Sequence, residues 1–250
     1  MDTSRSFVLI PAFNEAATIR ELVRKALTIV ADVIVVDDGS TDATREELAG
    51  LPVTVLVHER NLGKAASLWH GIDHAMAHGA TRVVTLDGDG QHNPEDIRRL
   101  IRMANEYPKR IVIGSRLHDR ENFPLARYYA NRFACAGISW MAGQSIADTQ
   151  SGFRVYPAHL LAQLSREDVS WGRFVFESEI LIEAGERNVR CISVGIPGIY
   201  PHAARASHFR PVVDVSRIFA MASGRLLRRT LQRVAGWCGL KRGMQRSGPA

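Results

Sequence analysis

The sequence VVTLDGDGQ, residues 83–91, joins an apolar run typical of a buried strand to two carboxylates, Asp87 and Asp89. Side chains at positions i and i+2 of an extended segment point to the same side. Two carboxylates that face one way at the end of a strand suit a hard divalent cation such as Mg²⁺ or Mn²⁺, often together with phosphates. The alternative is a polar turn, because Asp and Gly are common turn residues.

Short apolar runs alternate with segments of helical periodicity along the first half of the chain. This alternation predicts an α/β fold with a mostly parallel sheet flanked by helices. The predicted strands cover residues 7–10, 32–36, 53–57, 83–86 and 111–113, and the next helix covers 125–141. Pro11 is expected to stop the first strand, since proline lacks the N–H that a central strand needs.

Polar residues follow most of these strands. The strand ends carry Asn14 and Glu15, Asp37 and Asp38, Asp87 and Asp89, and Arg116. In open α/β sheets the ligand binds beyond the carboxyl ends of the strands, so we expect these side chains to share one site. The first strand is not followed by a Gly-x-Gly-x-x-Gly sequence, which argues against an ordinary dinucleotide-binding domain.

The charge of the chain is unevenly distributed. The 250 residues carry a net charge of +6, yet ten lysines and arginines stand against a single acid after residue 200. Apolar residues recur at helical spacing over 212–234, with arginines among them. We therefore predict a basic amphipathic helix over 211–240, which binds an anionic membrane surface, and a disordered tail over 241–250. One alternative is a helix packed on the first domain. Another is a non-enzymatic protein that binds nucleic acid or acts as a scaffold, although no motif that reads nucleic acid is present.

The cysteine pattern and the start of the chain bear on its location. Three cysteines lie far apart without metal-binding spacing, as is typical of a reducing compartment. We find no signal-peptide pattern and no apolar run of the roughly 18–20 residues that span a bilayer. We expect a cytoplasmic protein, peripheral on the cytoplasmic face of the membrane, with no nucleic acid as partner.

Five motifs occur in order along the chain: IPAFNE at 10–15, VVDDGSTD at 35–42, NLGK at 61–64, DGDGQ at 87–91 and SGFR at 151–154. Together they resemble the family 2 glycosyltransferases of GT-A fold. Within that family they are most similar to the dolichol-phosphate mannosyltransferase, or polyprenyl-phosphate glycosyltransferase, group. The resemblance covers about residues 6–210 and implies a GT-A domain over 1–210.

The resemblance implies roles for individual residues on the donor side. Nucleotide-sugar binding falls to Pro11, Phe13, Asn14, Glu15, Asp37, Asp38, Lys64, Asp87, Gln91, Arg116 and Arg132. The metal motif is Asp87, Asp89 and Gln91, and the catalytic residues are Asp89, Arg116 and Arg205. A bound Mg²⁺ or Mn²⁺ would neutralise the diphosphate leaving group, and the arginines would add cationic contacts to it.

Other interpretations remain open for several of these donor-side residues. Asp38 followed by Gly39 is also a common turn sequence, and Lys64 is also consistent with a solvated surface lysine. Arg116 is also compatible with a surface ion pair with one of the acids nearby. Arg132 fits the solvated face of its helix.

The acceptor side follows from the same resemblance and comprises Gln150, Ser151, Arg154, Glu177, Ser207 and His208, the last standing where the resemblance leads us to expect a lysine. Many family members that glycosylate a hydroxyl have an acid near position 150 to remove the acceptor proton. Gln150 cannot do so, whereas a phosphate acceptor is already ionised and needs little help from a base. A hydroxyl acceptor remains the alternative, with Asp148, Glu177 or Glu179 as the base, although the two glutamates also suit the start of a helix.

The sequence therefore predicts a metal-dependent, inverting glycosyltransferase. Its donor is a nucleotide sugar of GDP-mannose or UDP-hexose type, and its acceptor is undecaprenyl or dolichyl phosphate. The identity of the sugar, the choice between UDP and GDP, and the oligomeric state stay open at this point.

Overall fold

The computed structural model describes residues 5–115, 125–165 and 176–197, with the backbone alone over 125–130. The strands are β1 (Ser6–Ala12), β2 (Asp32–Asp37), β3 (Thr54–Val57), β4 (Arg82–Thr85), β5 (Ile111–Ser115), β6 (Arg154–Pro157) and β7 (Cys191–Gly195). The helices are α1 (Ile19–Leu27), α2 (Thr44–Glu47), α3 (Lys64–Ala77), α4 (Ile97–Glu106), α5 (Leu125–Met141), α6 (Ala158–Leu161) and α7 (Phe176–Glu186), and a 3₁₀ turn at Pro94–Asp96 precedes α4.

The strands within the described ranges form one sheet in the order β3-β2-β1-β4-β6-β5-β7. All neighbouring pairs are parallel except those of β6, which runs antiparallel to both β4 and β5. The first residue of β6, Arg154, pairs with Thr85 near the end of β4 and with Ile113 of β5. The segment that enters β6 therefore lies at the same edge of the sheet as the polar residues after β4.

The centre of the sheet is covered on both faces. On one face, Val8 and Ile10 of β1 belong to an apolar cluster with α1 and α4. On the other face, α3 approaches β1 so closely that a Cβ at Gly71 would stand 2.1 Å from Leu9 Cδ1. A larger residue at position 71 would displace the buried Leu9 side chain, so glycine favours the close packing of α3 on β1. This packing brings the start of α3 to the edge that holds the site.

The prediction that Pro11 stops the first strand is wrong. Strand β1 continues to Ala12, and Pro11 pairs with Val36 of β2. The reason lies in the geometry of a parallel strand, in which the backbone N–H and C=O groups of successive residues point alternately to the neighbouring strands on the two sides. The backbone nitrogen of Pro11 is on the side of β4, and β4 pairs with β1 only as far as Leu9. The missing N–H therefore falls beyond the last pairing on that side.

The other predicted elements are present with shifted ends, and α5 matches its predicted range. The sequence also predicts a helix that starts at Thr41 or Asp42 and runs to about Leu48, and the structure reduces it to the four residues of α2. Among the described helices, none is long and apolar enough to cross a membrane. The predicted domain boundary near residue 210, the basic helix over 211–240 and the tail over 241–250 lie outside the described residues.

Candidate active site

Lys64 joins two carboxylates at the carboxyl edge of the sheet. Its Nζ lies 2.6 Å from Asp87 Oδ1, just after β4, and 2.7 Å from Glu177 Oε1 in the first turn of α7. Burial lowers the pKa of Lys64, but the two carboxylates raise it by more, so the net pKa lies well above its ordinary value and the amine stays charged. Lys64 is thus not a solvated surface lysine, and its motif meets the DGDGQ motif directly.

Gly152 forms the wall behind Asp87. A Cβ at this position would stand 2.6 Å from Asp87 Oδ2, closer than any side chain tolerates. The hydroxyl of Thr85 donates a hydrogen bond of 2.7 Å to the Gly152 carbonyl. Glycine in the SGFR motif therefore serves close approach, because it lets the backbone of 151–153 pack against the Asp87 carboxylate.

The loop that carries Asp89 is held against the loop after β1. Gly88 accepts a hydrogen bond of 2.7 Å from the Thr18 hydroxyl, and a Cβ on Gly88 would stand 3.2 Å from the carbonyl oxygen of Pro11. Asp89 Oδ1 accepts a hydrogen bond of 3.0 Å from the backbone N–H of Gln91. The expected metal ligands therefore sit on a tight turn that the first motif supports.

The first and second motifs form a common wall. Asn14 adopts φ +58, donates its N–H to Ser40 Oγ at 2.9 Å and accepts the N–H of Thr41 on Oδ1 at 2.8 Å. The N–H of Glu15 donates to Thr44 Oγ1 at 2.8 Å. Phe13 lies beside these contacts and is 40% exposed. The loops after β1 and β2 are thus locked to each other.

Asp37 and Asp38 are both engaged by the protein itself. Asp37 is fully buried, accepts the N–H of Ser40 at 3.0 Å and forms an ion pair with Arg45 at 3.0 Å. Asp38 Oδ1 lies 2.8 Å from His58 Nδ1 and accepts the N–H of Leu62 at 2.8 Å. Asp38 therefore does more than make the Asp-Gly turn.

Asp38 also fixes the start of α3. Its Oδ2 accepts the N–H of Gly63 at 2.8 Å, and Gly63 immediately precedes Lys64 at φ +94. Sequence reasoning missed the partner of this carboxylate, His58, whose other ring nitrogen lies 3.1 Å from His70 Nδ1. The sequence contained a signal for His58, because it directly follows β3. Among the five strands predicted from the sequence, this is the one whose polar end residue we did not consider.

Residues 148–154, which include the predicted acceptor-side residues Gln150, Ser151 and Arg154, are built on a tight turn and are called the acceptor-side segment below. Asp148 Oδ1 accepts the N–H groups of Gln150 and Ser151, both at 3.1 Å. Ser151 is fully buried and its Oγ accepts the N–H of Phe153 at 3.3 Å. Asp148 itself is 3% exposed and Glu179 is 1% exposed, so both candidate bases lie below the surface. Glu177 is the candidate base nearest to Asp87, because the amine of Lys64 contacts both carboxylates.

Arg154 is a positioning residue in this structure. Its guanidinium is fully buried and donates to the carbonyl oxygens of Ser151 at 2.7 Å, Thr149 at 2.9 Å and Glu177 at 2.5 Å. A fourth hydrogen bond of 3.2 Å joins it to the hydroxyl of Tyr156. Arg154 thereby ties the acceptor-side segment to α7, and its role toward an acceptor stays a prediction.

We expect Arg154→Met to lower the free energy of unfolding by about 3–5 kcal/mol, because it leaves two buried carbonyl oxygens and one partly buried carbonyl oxygen without their donor. Urea denaturation followed by circular dichroism measures the loss. The matched control is Arg98→Met, which removes an exposed arginine with a 3.2 Å hydrogen bond to the Thr28 carbonyl. A loss for the Arg154 variant no larger than for this control contradicts the assignment.

The remaining predicted residues are not brought into the site by the described part of the structure. Arg132 lies on α5 with its side chain exposed. Arg116, Arg205, Ser207 and His208 lie outside the described residues. The roles assigned to these five from the sequence stay predictions.

The donor set at this edge of the sheet fits a divalent cation that arrives with its ligand. Over residues 5–115, 125–165 and 176–197, no cluster of three or more His, Cys, Asp or Glu side chains is arranged to hold a metal. Mg²⁺ and similar cations are, however, commonly held by one or two carboxylates together with substrate phosphates and water. Asp87 and Asp89, with the amide of Gln91, would supply the protein's share of such a site.

The fold and this site define a glycosyltransferase. Residues 7–164 match the model of Glycosyl transferase family 2, and the chain belongs to this family. It is 31% identical to UDP-N-acetylglucosamine--dolichyl-phosphate N-acetylglucosaminyltransferase of Methanococcus voltae, over 80% of this chain and 88% of that one. It is also 28% identical to polyprenol monophosphomannose synthase of Mycolicibacterium smegmatis, over 78% of this chain and 77% of that one.

A solved structure confirms the GT-A fold. Glucosyl-3-phosphoglycerate synthase of Mycobacterium tuberculosis, in complex with Mn²⁺, uridine diphosphate and glucosyl-3-phosphoglycerate, superposes with a TM-score of 0.64. The similarity covers 91% of this chain and 80% of that chain at 21% identity. The antiparallel strand β6, inserted between two parallel parts of the sheet, therefore belongs to a known architecture.

Proposed function

We propose that the protein transfers a sugar from a nucleotide sugar to a polyprenyl phosphate, with inversion at the anomeric carbon. The observation that carries the proposal is that each carboxylate near the acceptor-side segment is either buried or bound by other groups of the protein, so that none is placed as a base for a hydroxyl acceptor. Asp148 holds a turn, Glu179 is buried, and Glu177 is paired with the charged amine of Lys64. A phosphate acceptor needs no such base, because its oxygen is already anionic at neutral pH.

The relatives support the same acceptor class. The names of the two relatives described above contain dolichyl phosphate and polyprenol, and a third, from Sodalis glossinidius, is an undecaprenyl-phosphate 4-deoxy-4-formamido-L-arabinose transferase. The three differ in the sugar that their names contain. We therefore extend the lipid-phosphate acceptor to this protein and leave the sugar to experiment.

In the proposed reaction an acceptor phosphate oxygen forms a bond to the anomeric carbon while the bond to the nucleoside diphosphate breaks. A divalent cation held by Asp87 and Asp89, when bound, supplies the charge that stabilises this leaving group. Lys64 places a permanent positive charge beside Asp87, and this charge would add to the stabilisation of the diphosphate. The backbone of 151–153, packed on Asp87, fixes the position of that carboxylate during the displacement.

A matched pair of acceptors tests this function. Nucleotide sugars of the UDP and GDP types are incubated with Mg²⁺ or Mn²⁺ and either a polyprenyl phosphate or the polyprenol of the same chain length. We expect a lipid-linked sugar with the phosphate and none with the alcohol, measured by mass spectrometry of the lipid extract. Product from the alcohol, or the absence of product with every donor, overturns the assignment of the acceptor.

The alternative is transfer to a hydroxyl group, with Glu177 as the base, because Glu177 lies one side chain from Asp87. Glu177→Gln separates the two functions. A loss of rate of more than about a hundredfold, with nucleotide binding intact, supports the hydroxyl acceptor. A smaller loss agrees with a phosphate acceptor.

We also propose that the basic segment over 211–240 binds an anionic membrane and holds the enzyme at the cytoplasmic face, where a lipid acceptor is accessible. The support is its charge and helical periodicity.

A further inference from the structure

The outer face of α5 carries two large apolar side chains that are more than half exposed. Phe133 is 58% exposed and Trp140 is 75% exposed, and seven residues place them two turns apart on the same side of a helix. Ala136 and Gly137 between them are also exposed, and a Cβ at Gly137 would meet nothing within 4 Å. We call these four residues the α5 aromatic face. A tryptophan this exposed is uncommon in proteins and marks an interaction surface when it lies in an apolar patch.

The opposite side of α5 supports the acceptor-side segment. Cys135 is buried, its Sγ accepts the N–H of Thr149 at 3.3 Å and lies 3.3 Å from Thr149 Oγ1. Ala134 and Ile138 are buried on the same side. A body that binds the α5 aromatic face therefore lies one helix diameter from the segment that we assign to the acceptor.

The charge of α5 indicates which partner fits. The helix Leu125–Met141 contains two arginines and no acidic residue. One of them, Arg132, is exposed next to Phe133. Aromatic side chains flanked by arginine match the boundary between the headgroups and acyl chains of an anionic bilayer, where rings are buried and the cation meets lipid phosphate.

We propose that the α5 aromatic face docks on the surface of an anionic membrane, with Trp140 and Phe133 inserted at the level of the headgroups. This inference rests on the proposed function, since a polyprenyl phosphate presents its phosphate at that same level. It assigns a second membrane contact, separate from the basic segment after residue 200. Docking through α5 would bring the acceptor-side segment over the membrane, so that the lipid phosphate enters the site without leaving the bilayer.

Fluorescence quenching by brominated lipids tests the insertion of Trp140. The full-length protein and its Trp140→Phe variant are bound to vesicles of phosphatidylglycerol and phosphatidylcholine, with and without bromine on the acyl chains. The difference between the two proteins isolates the emission of Trp140 from that of the other tryptophans. We expect that difference signal to be quenched by the brominated lipid. An unquenched Trp140 signal on bound protein overturns the proposal.

The second measurement is the partition of the protein into the same vesicles. Phe133→Ser/Trp140→Ser should lower the partition coefficient by about tenfold or more, because two aromatic side chains no longer enter the interface. Val55→Ser/Val57→Ser, which removes two exposed apolar side chains from β3, is the matched control and should leave it unchanged. Thermal melting of each variant establishes that it is folded.

The outcomes separate this proposal from the proposed function, since neither measurement uses a sugar donor or a polyprenyl phosphate. Unchanged partition of the serine variant contradicts membrane docking whatever the enzyme transfers. If the variant instead converts a dimer into a monomer in solution, the face binds a second copy of the chain and the proposal is wrong. Vesicle binding without any sugar transfer overturns the function and leaves the membrane contact in place.

Discussion

Asp89→Asn is expected to lower kcat/KM for sugar transfer by about a hundredfold or more, because it removes one of two anionic ligands from the cation that stabilises the leaving diphosphate. Asp89 lies on the tight turn after β4, with Gly90 at φ +73 and the N–H of Gln91 donating to Asp89 Oδ1. Asparagine keeps the size of the side chain and an oxygen for this hydrogen bond. The expected loss therefore reports charge rather than folding.

A binding measurement separates the metal role of Asp89 from a structural one. The affinity for the nucleoside diphosphate should fall in the variant when Mn²⁺ is present, and the two proteins should bind the nucleotide equally when a chelator is present. Asp73→Asn, on the exposed side of α3, is the matched control and should change neither quantity. Equal affinity of both proteins in the presence of Mn²⁺, or a rate within about threefold of the parent enzyme, contradicts a metal ligand at position 89.

Lys64→Met is expected to strengthen the binding of Mn²⁺ in the absence of nucleotide by about tenfold, because an ammonium group no longer competes for Asp87. In the structure the Nζ of Lys64 is 2.6 Å from Asp87 Oδ1 and 2.7 Å from Glu177 Oε1. Its raised pKa keeps this charge in place at any ordinary assay pH. In the protein without substrate, the ammonium group of Lys64 thus occupies Asp87, a carboxylate that we propose as a metal ligand.

The same variant should be a poor enzyme, since the diphosphate loses a fixed cation. We expect a higher KM for the nucleotide sugar in steady-state kinetics. We also expect tighter binding of Mn²⁺ in the absence of nucleotide, which is measured by electron paramagnetic resonance of the unbound ion. Lys25→Met removes a surface lysine that is paired with Glu21 at 3.4 Å on α1 and should change neither value. Weaker or unchanged binding of Mn²⁺ would show that Lys64 and the metal do not share Asp87.

Local patterns were sufficient to predict much of the fold. The apolar runs gave the strands β1 to β5 within a few residues, and the range of α5 matches its periodicity, because these signals depend on spacing within one segment. The orientation of β6 was not predictable in this way. Whether a short strand runs parallel or antiparallel depends on which neighbours it finds, and the local sequence of four residues does not encode that.

The site shows the same division. The motifs indicated that Asp38, Lys64 and Asp87 lie near one another, but they did not indicate which atoms meet. The structure shows that Asp38 holds the backbone at 62–63, so that Lys64 begins α3 next to Asp87. Arg154 is an example, since its motif predicts an arginine on the acceptor side but does not indicate that it donates to three backbone carbonyls and to the hydroxyl of Tyr156. Hydrogen bonds of this kind depend on tertiary packing, so the spacing of residues in the sequence does not predict them.

The most direct test of the function is the chemistry of the bond that the enzyme makes. The lipid product of a reaction with polyprenyl phosphate is examined by ³¹P nuclear magnetic resonance. We expect the phosphomonoester signal of the acceptor to be replaced by a phosphodiester signal coupled to the anomeric proton, with the anomeric configuration opposite to that of the donor. A product that retains the phosphomonoester, or that retains the configuration of the donor, contradicts the proposed function.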